Sequence, residues 1–220
     1  MKKNVCIILC LVLTFSVMCG TASAAKDREF TLRSGIQFGD TVDEVKKKET
    51  SLEVDGEREI QNKGYGVFYK GVIAGYDGEA GFYFGDEGLN NAYYKFNTTN
   101  NPWSFTDSAD PDDIYKTIYD SCSRQYGDAL KEDEEFPVVG QAVESALYYI
   151  QNANAKALKY DQWVVLEDNG VDGVKIDLVV YYMNEDFHGQ TYRRTTVMIS
   201  YLPFLQKDID NYTKAVDDSF

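Results

Sequence analysis

Residues 74–97, AGYDGEAGFYFGDEGLNNAYYKFN, decide the fold. Ala80, Phe82 and Phe84 fall on one side of an extended chain, with Glu79 and Tyr83 on the other. After Gly85-Asp86-Glu87-Gly88 the alternation resumes, with Ala92, Tyr94 and Phe96 against Tyr93 and Lys95. A period of two in aromatic-rich runs predicts strands. The glycine-flanked connection supplies the positive φ that a tight turn needs, so the two strands pair antiparallel.

The same period continues outward. YGVFYKG, residues 65–71, reads as a strand before this hairpin, and YDQWVVLED, VKIDLVVYYMN and TYRRTTVMISYLP, at 160–168, 174–184 and 191–203, as three strands after it. Between and around them the period changes to that of helices. Thr41 with Glu44 three residues on forms a capping box, and Val42 and Val45 share a face. Lys46, Lys47 and Lys48 then fall at the helix C-terminus, where the dipole favours them. They read as a solvated helix end rather than a basic binding patch. Asp110 followed by Pro111 opens a second helix, whose Ile114, Ile118 and Cys122 recur every four residues until Gly127 stops it. An acidic loop, 128–136, precedes a third helical pattern at 142–155, and a fourth starts at Phe204 with Leu205, Ile209, Tyr212 and Val216.

Strands in hairpin succession with helices outside those runs predict an α+β fold, an antiparallel sheet with helices packed on one face. Element order suggests a tandem of one helix and three strands, residues 35–97 and 108–203, closed by a helix at 204–217. No residue-level repeat accompanies it.

The N-terminus carries its own signal. Lys2 and Lys3 precede an apolar run from Val5 to Val17, and Thr21-Ala22-Ser23-Ala24 supplies small residues for cleavage after Ala24. The run is shorter than the roughly 20 residues of a membrane span. Residues 1–24 are therefore expected to be a signal peptide and 25–220 a secreted or envelope-associated domain. Lipidation at Cys19 is the rival reading, but Ser16, Val17 and Met18 lack the early leucine and final small residue of such a site. Loss of the leader removes Cys6, Cys10 and Cys19 and leaves Cys122 alone, so no internal disulfide can form. Cys122 itself, on the apolar stripe of its helix, reads as a buried structural thiol.

The 22 basic residues less Lys2 and Lys3, against 36 acidic ones, leave a mature net charge of −16. Such a surface repels phosphate backbones and argues against nucleic acid or anionic membrane as a partner. One histidine, His188 in a polar loop, makes Ser-His-Asp or Cys-His catalysis and histidine zinc sites poor readings. Asp168 to Gly173 has the sixth-place glycine of a calcium loop, but Gly170 stands third and Val179 twelfth, where ligands are required. Paired carboxylates for glycoside hydrolysis have no distinguishing spacing. Sequons at Asn97 and Asn211 sit behind a leader of bacterial type. No catalytic residue, metal or cofactor is expected.

The stretch IQFGDTVDEV, with Ile36, Gly39, Thr41 and Val45, resembles the start of each repeat in β-lactamase-inhibitor-protein-like domains. Similar openings occur in small outer-membrane assembly lipoproteins and in secreted proteins of Gram-positive bacteria. FYFGDEGLNNAYYKF resembles the paired aromatic strands that end such a repeat. The resemblance spans 35–97, with Asp40 where the family commonly has Met and without the inhibitor's disulfides. It implies binding of another protein through the open sheet face, and carries no contact residue over.

Tyr is abundant, with 17 in the chain, and this points to the same face. Tyr83, Tyr93 and Tyr181, with Lys95, Lys175 and Arg194, are the candidate binding residues. Tyrosine gives contact area at low entropy cost, suiting a protein interface or sugar stacking. The expectation is a protein-binding module; the alternatives are a module for carbohydrate or cell-wall fragments, and, behind both, a hydrolase. Equally open is a further layer that covers these residues as a second core.

Overall fold

The structure, a computed structural model, describes residues 30–60, 64–99, 109–130, 155–166, 172–187, 190–205 and 207. The leader with Cys19, the helical pattern from 142 up to residue 154, His188 and most of the closing helix lie outside the described residues.

The lead is pinned before any regular element begins. After a 3-10 turn at Arg33–Gly35, Ile36 is fully buried. Gly39, at φ +86°, donates its amide to the Leu89 carbonyl at 2.9 Å, and Leu89 returns one to the Asp40 carbonyl at 2.8 Å. The Asp40 carboxylate accepts from the Gln37 amide at 2.8 Å and pairs with Lys48 Nζ at 2.7 Å. Helix α1, Val42–Lys48, has the full capping box between Thr41 and Glu44. Of its three lysines, Lys46 reaches Glu57 at 2.7 Å and Lys48 reaches Asp40, so two are paired rather than simply solvated.

Seven antiparallel strands form one sheet in the order β1-β2-β3-β4-β7-β6-β5. They are β1 Glu53–Ile60, β2 Gly64–Ile73, β3 Tyr76–Gly85, β4 Gly88–Thr99, β5 Lys156–Leu166, β6 Gly173–Phe187 and β7 Gln190–Phe204. Two hairpin meanders join edge to edge, Tyr94 opposite Ile199 and Phe96 opposite Val197. Four strands thus follow α1 and three follow the second helix, so the described elements do not repeat as helix plus three strands. Strand β1, EVDGEREI, is the additional one: an edge strand with a register shift between Val54 and Gly56 and no fully buried residue. At the other end of the chain, β7 continues through Phe204, where a helix was expected to start. Phe204 pairs with Gly173 and is 1% exposed, so ladder and burial together hold it extended.

Helix α2, Pro111–Tyr126, is capped by the Asp110 side chain on the Asp112 amide at 2.9 Å and ends at Gly127, φ +89°. Its Ile114, Ile118 and Cys122 are buried in one cluster with Val45 of α1 and with Ala80, Phe82, Phe84, Ala92, Tyr94 and Phe96 of the sheet. Both helices therefore cover one face, here called inner, in the α+β arrangement. Burial pushes the Cys122 thiol up to about 11, which makes it a poor nucleophile, as its place on the stripe implied.

Candidate functional site

The outer face carries all six residues singled out from the sequence, but it is not one surface. On β2, β3 and β4 the side chains opposite the core include Phe68, Tyr83, Tyr93, Glu79 and Lys95, each partly exposed. Two glycines make room for the rings. A Cβ on Gly81 would stand 2.2 Å from the Tyr93 ring, and one on Gly66 would stand 2.9 Å from the Phe68 ring. The aromatic rings therefore lie over bare backbone.

The result is a row running inward from the sheet edge. The Arg58 guanidinium sits 4.5 Å from the centre of the Phe68 ring. Phe68 meets Tyr83 edge-on at 5.8 Å, and Tyr83 meets Tyr93 at 5.9 Å with the planes tilted by 37°. Each contact is worth on the order of 1 kcal/mol, enough to hold the rings in place without hiding them. Burial, then the neighbouring Tyr83 and Glu79, hold the Tyr93 phenol well above its ordinary range, so it acts as a neutral donor and acceptor. Lys95 is held beside the row by Glu79 at 2.8 Å. At the edge, exposed Glu53 and Asp55 form an acidic rim, with Lys70 between Asp55 at 3.3 Å and Glu53 at 3.7 Å.

Across β4 the same face changes character. Tyr93 stands opposite Ser200, and Ser200 opposite Asp177. Lys175 and Asp177 have no solvent exposure, Thr196 has 1% and Tyr181 has 8%. Tyr181 and Val179 form a second apolar cluster with Ala155, Ala157, Met183 and Met198. Arg194 is partly exposed and places Nη2 3.3 Å from Met183 Sδ. Lys175 and Tyr181 therefore do not extend the open patch: both are buried on the outer face, Tyr181 in the second cluster, which is the covered-layer reading of the two left open. The physical reason is in β6, where every residue from Gly173 to Tyr181 is buried, so both faces of a central strand are covered.

On the same face, Lys175 Nζ lies 3.6 Å from Asp177 Oδ2. The Tyr160 hydroxyl donates to Asp177 Oδ1 at 2.9 Å and Gln162 Nε2 donates to it at 3.0 Å. Burial lowers the Lys175 ammonium from its ordinary range, and Asp177 works against that shift. The contacts of Tyr160 and Gln162 with Asp177 tie β5 to β6 on the outer face.

Arg58 and Phe68 complete the row and were not anticipated. Arg58 belongs to the edge strand that lacks apolar alternation, whereas the Val67–Phe68–Tyr69 order of β2 already placed Phe68 opposite the core positions. Among the described residues no group of three or more His, Cys, Asp or Glu side chains could hold a metal ion. Nor is any described helix long and apolar enough to cross a membrane. No family model, curated protein or solved structure matches the chain.

Proposed function

We propose that this is a secreted or envelope-associated binding module whose contact surface is the exposed half of the outer sheet face, centred on Phe68, Tyr83 and Tyr93, with another protein as partner. The observation that carries the reading is the glycine-backed aromatic row. Gly66 and Gly81 leave the backbone bare beneath rings that stay partly exposed, which concentrates amphipathic area where a partner can dock. Arg58 at one end and the Lys95–Glu79 pair at the other frame it. The acidic rim on β1 and a chain charge of −14 favour a partner with basic residues around an apolar centre. Open-face binding is also what the resemblance to β-lactamase-inhibitor-protein-like domains implies.

The test uses residues 25–220 immobilised beside a Phe68→Ala/Tyr83→Ala variant whose circular dichroism and melting are checked first. Secreted proteins of the source organism should contain one that binds the parent saturably, weakens with salt and is lost on the variant. Equal capture by both would refute the face. Capture of wall glycan alone would transfer the same surface to carbohydrate stacking.

A further inference from the structure

The inner face holds a second feature unrelated to the aromatic row. A cavity of about 380 Å³ lies between the C-terminal half of α2 and the sheet, bounded by β4, β7 and the β2–β3 turn. It exists because α2 packs chiefly on β7 and β6, while on the β3 side the helix is bridged by the Tyr76 hydroxyl and Thr117 Oγ1 at 3.1 Å. Its volume falls in the range of small-molecule pockets, about 300–1,000 Å³, and well above the roughly 150 Å³ of a dry packing defect.

The polarity of the walls is uneven. Ile73, Phe96, Ile118 and Ile199 make an apolar body. At the inner end is Tyr94, 6% exposed, whose buried hydroxyl makes no hydrogen bond; the Arg33 main chain approaches it without reaching hydrogen-bond geometry. A buried hydroxyl without a partner destabilises the fold, because its hydration is lost and not replaced. Burial keeps this phenol protonated, so it has a proton to donate. Of the two arginines on the cavity wall, Arg33 is neutralised by the fully buried Glu49 carboxylate at 3.2 Å. Arg124 is different. It is exposed at the rim, its Nε donates to the Asp120 carbonyl at 3.1 Å, and the Asp120 carboxylate is taken by Lys116.

From this arrangement we infer that the cavity binds a small apolar carboxylic acid, its carboxylate at Arg124, its body over Phe96 and Ile118, and an oxygen acceptor at its far end meeting the Tyr94 hydroxyl. Each part answers a distinct feature of the walls: a cation without a described carboxylate, an apolar volume, and an unpaired donor.

Three probes separate these parts by titration followed in amide NMR spectra: 3-(4-hydroxyphenyl)propionate, 3-phenylpropionate, and the amide of the first. The hydroxy acid should bind saturably and shift resonances of Ile118, Cys122 and Ile199. Arg124→Gln should weaken it by about threefold to tenfold while leaving the amide unchanged. Tyr94→Phe should erase the preference for the hydroxylated acid over the plain one and raise the melting temperature of the free protein, because the uncompensated hydroxyl is gone. Absence of saturable binding by all three, or binding unchanged when Ser121→Trp fills the mouth, overturns the assignment. So does a lowered melting temperature in Tyr94→Phe, since the hydroxyl would then have a partner.

Discussion

Lys175 and Asp177 stand two residues apart on the same face of β6, Nζ to Oδ2 3.6 Å, with neither side chain exposed to solvent. A buried pair of this kind is weakly stabilising against an apolar replacement and strongly destabilising when halved. Asp177→Asn takes the facing carboxylate from the buried ammonium and should cost about 3–5 kcal/mol. Lys175→Met should cost less, because Asp177 keeps the Tyr160 and Gln162 donors. The double change Lys175→Met/Asp177→Leu should fall closer to the parent than Asp177→Asn alone. Urea midpoints of the three variants check this, and Asp177→Asn as the mildest of them would refute it.

The same lysine carries a pH signature. Its folded value lies below its ordinary 10.5, so between the two the unfolded chain holds more protons than the folded one. Stability relative to Lys175→Met should therefore rise with pH through that window and level off above 10.5. Urea midpoints of the two proteins across the alkaline range check it, and a flat difference would contradict it.

The buried tyrosines act in the opposite sense. Burial pushes Tyr126 up to about 12, and raises Tyr94, Tyr201 and Tyr181. Their contribution is fully present below about pH 10 and is lost as pH rises toward the folded values, because only the unfolded chain ionises there. Ultraviolet absorbance of tyrosinate should show exposed tyrosines titrating near pH 10, then a cooperative second step coincident with loss of circular dichroism. A smooth titration of all tyrosines with the fold intact would contradict this.

Gly81 tests the aromatic row directly. An added Cβ would lie 2.2 Å and 2.5 Å from two atoms of the Tyr93 ring. Gly81→Ala should cost about 1–3 kcal/mol by forcing that ring out of place. In a Tyr93→Ala background the same change should be near neutral, since nothing remains to collide. A double-mutant cycle by urea denaturation reads the coupling; additive costs would place the strain elsewhere.

How much of this was legible in the sequence depends on the range of the forces involved. The Thr41–Glu44 box, the Asp110 cap and the Gly127 stop act over a few residues, and each was readable. So were the faces of β3 and β4, because Phe82 and Tyr94 alternate cleanly with Tyr83 and Lys95. Strand β1 was not, because an exposed edge needs no apolar period and Glu53, Asp55, Glu57 and Glu59 supply none. The pairing of β4 with β7 sets Tyr94 against Ile199, a separation that no local pattern encodes. For Lys175 and Tyr181 two readings stayed open, because alternation alone fits one wet face as well as a covered second layer. Val174, Ile176, Leu178 and Val180 line the inner side, and Val179 is apolar among the outward positions. That combination instead marks a strand covered on both sides. The cavity depends on where α2 docks, and sequence spacing does not give docking.

The β2–β3 connection offers a stabilising substitution. Ile73 pairs with Tyr76 across a two-residue turn in which Ala74 has φ +52° and Gly75 φ +89°. Such a turn requires positive φ at both central residues, and it favours Asn-Gly. Alanine there bears a left-handed strain of about 1 kcal/mol, which asparagine tolerates better. Ala74→Asn should therefore raise stability by about 0.5–1 kcal/mol, and Ala74→Val should lower it by more than that. Ala74 also borders the inner-face cavity. Its side chain is exposed, so Ala74→Asn should stabilise the free protein whether or not a probe acid is present. Thermal melts with and without 3-(4-hydroxyphenyl)propionate decide the point: equal gains place the effect in the turn, and no gain in either would mean that the alanine is unstrained.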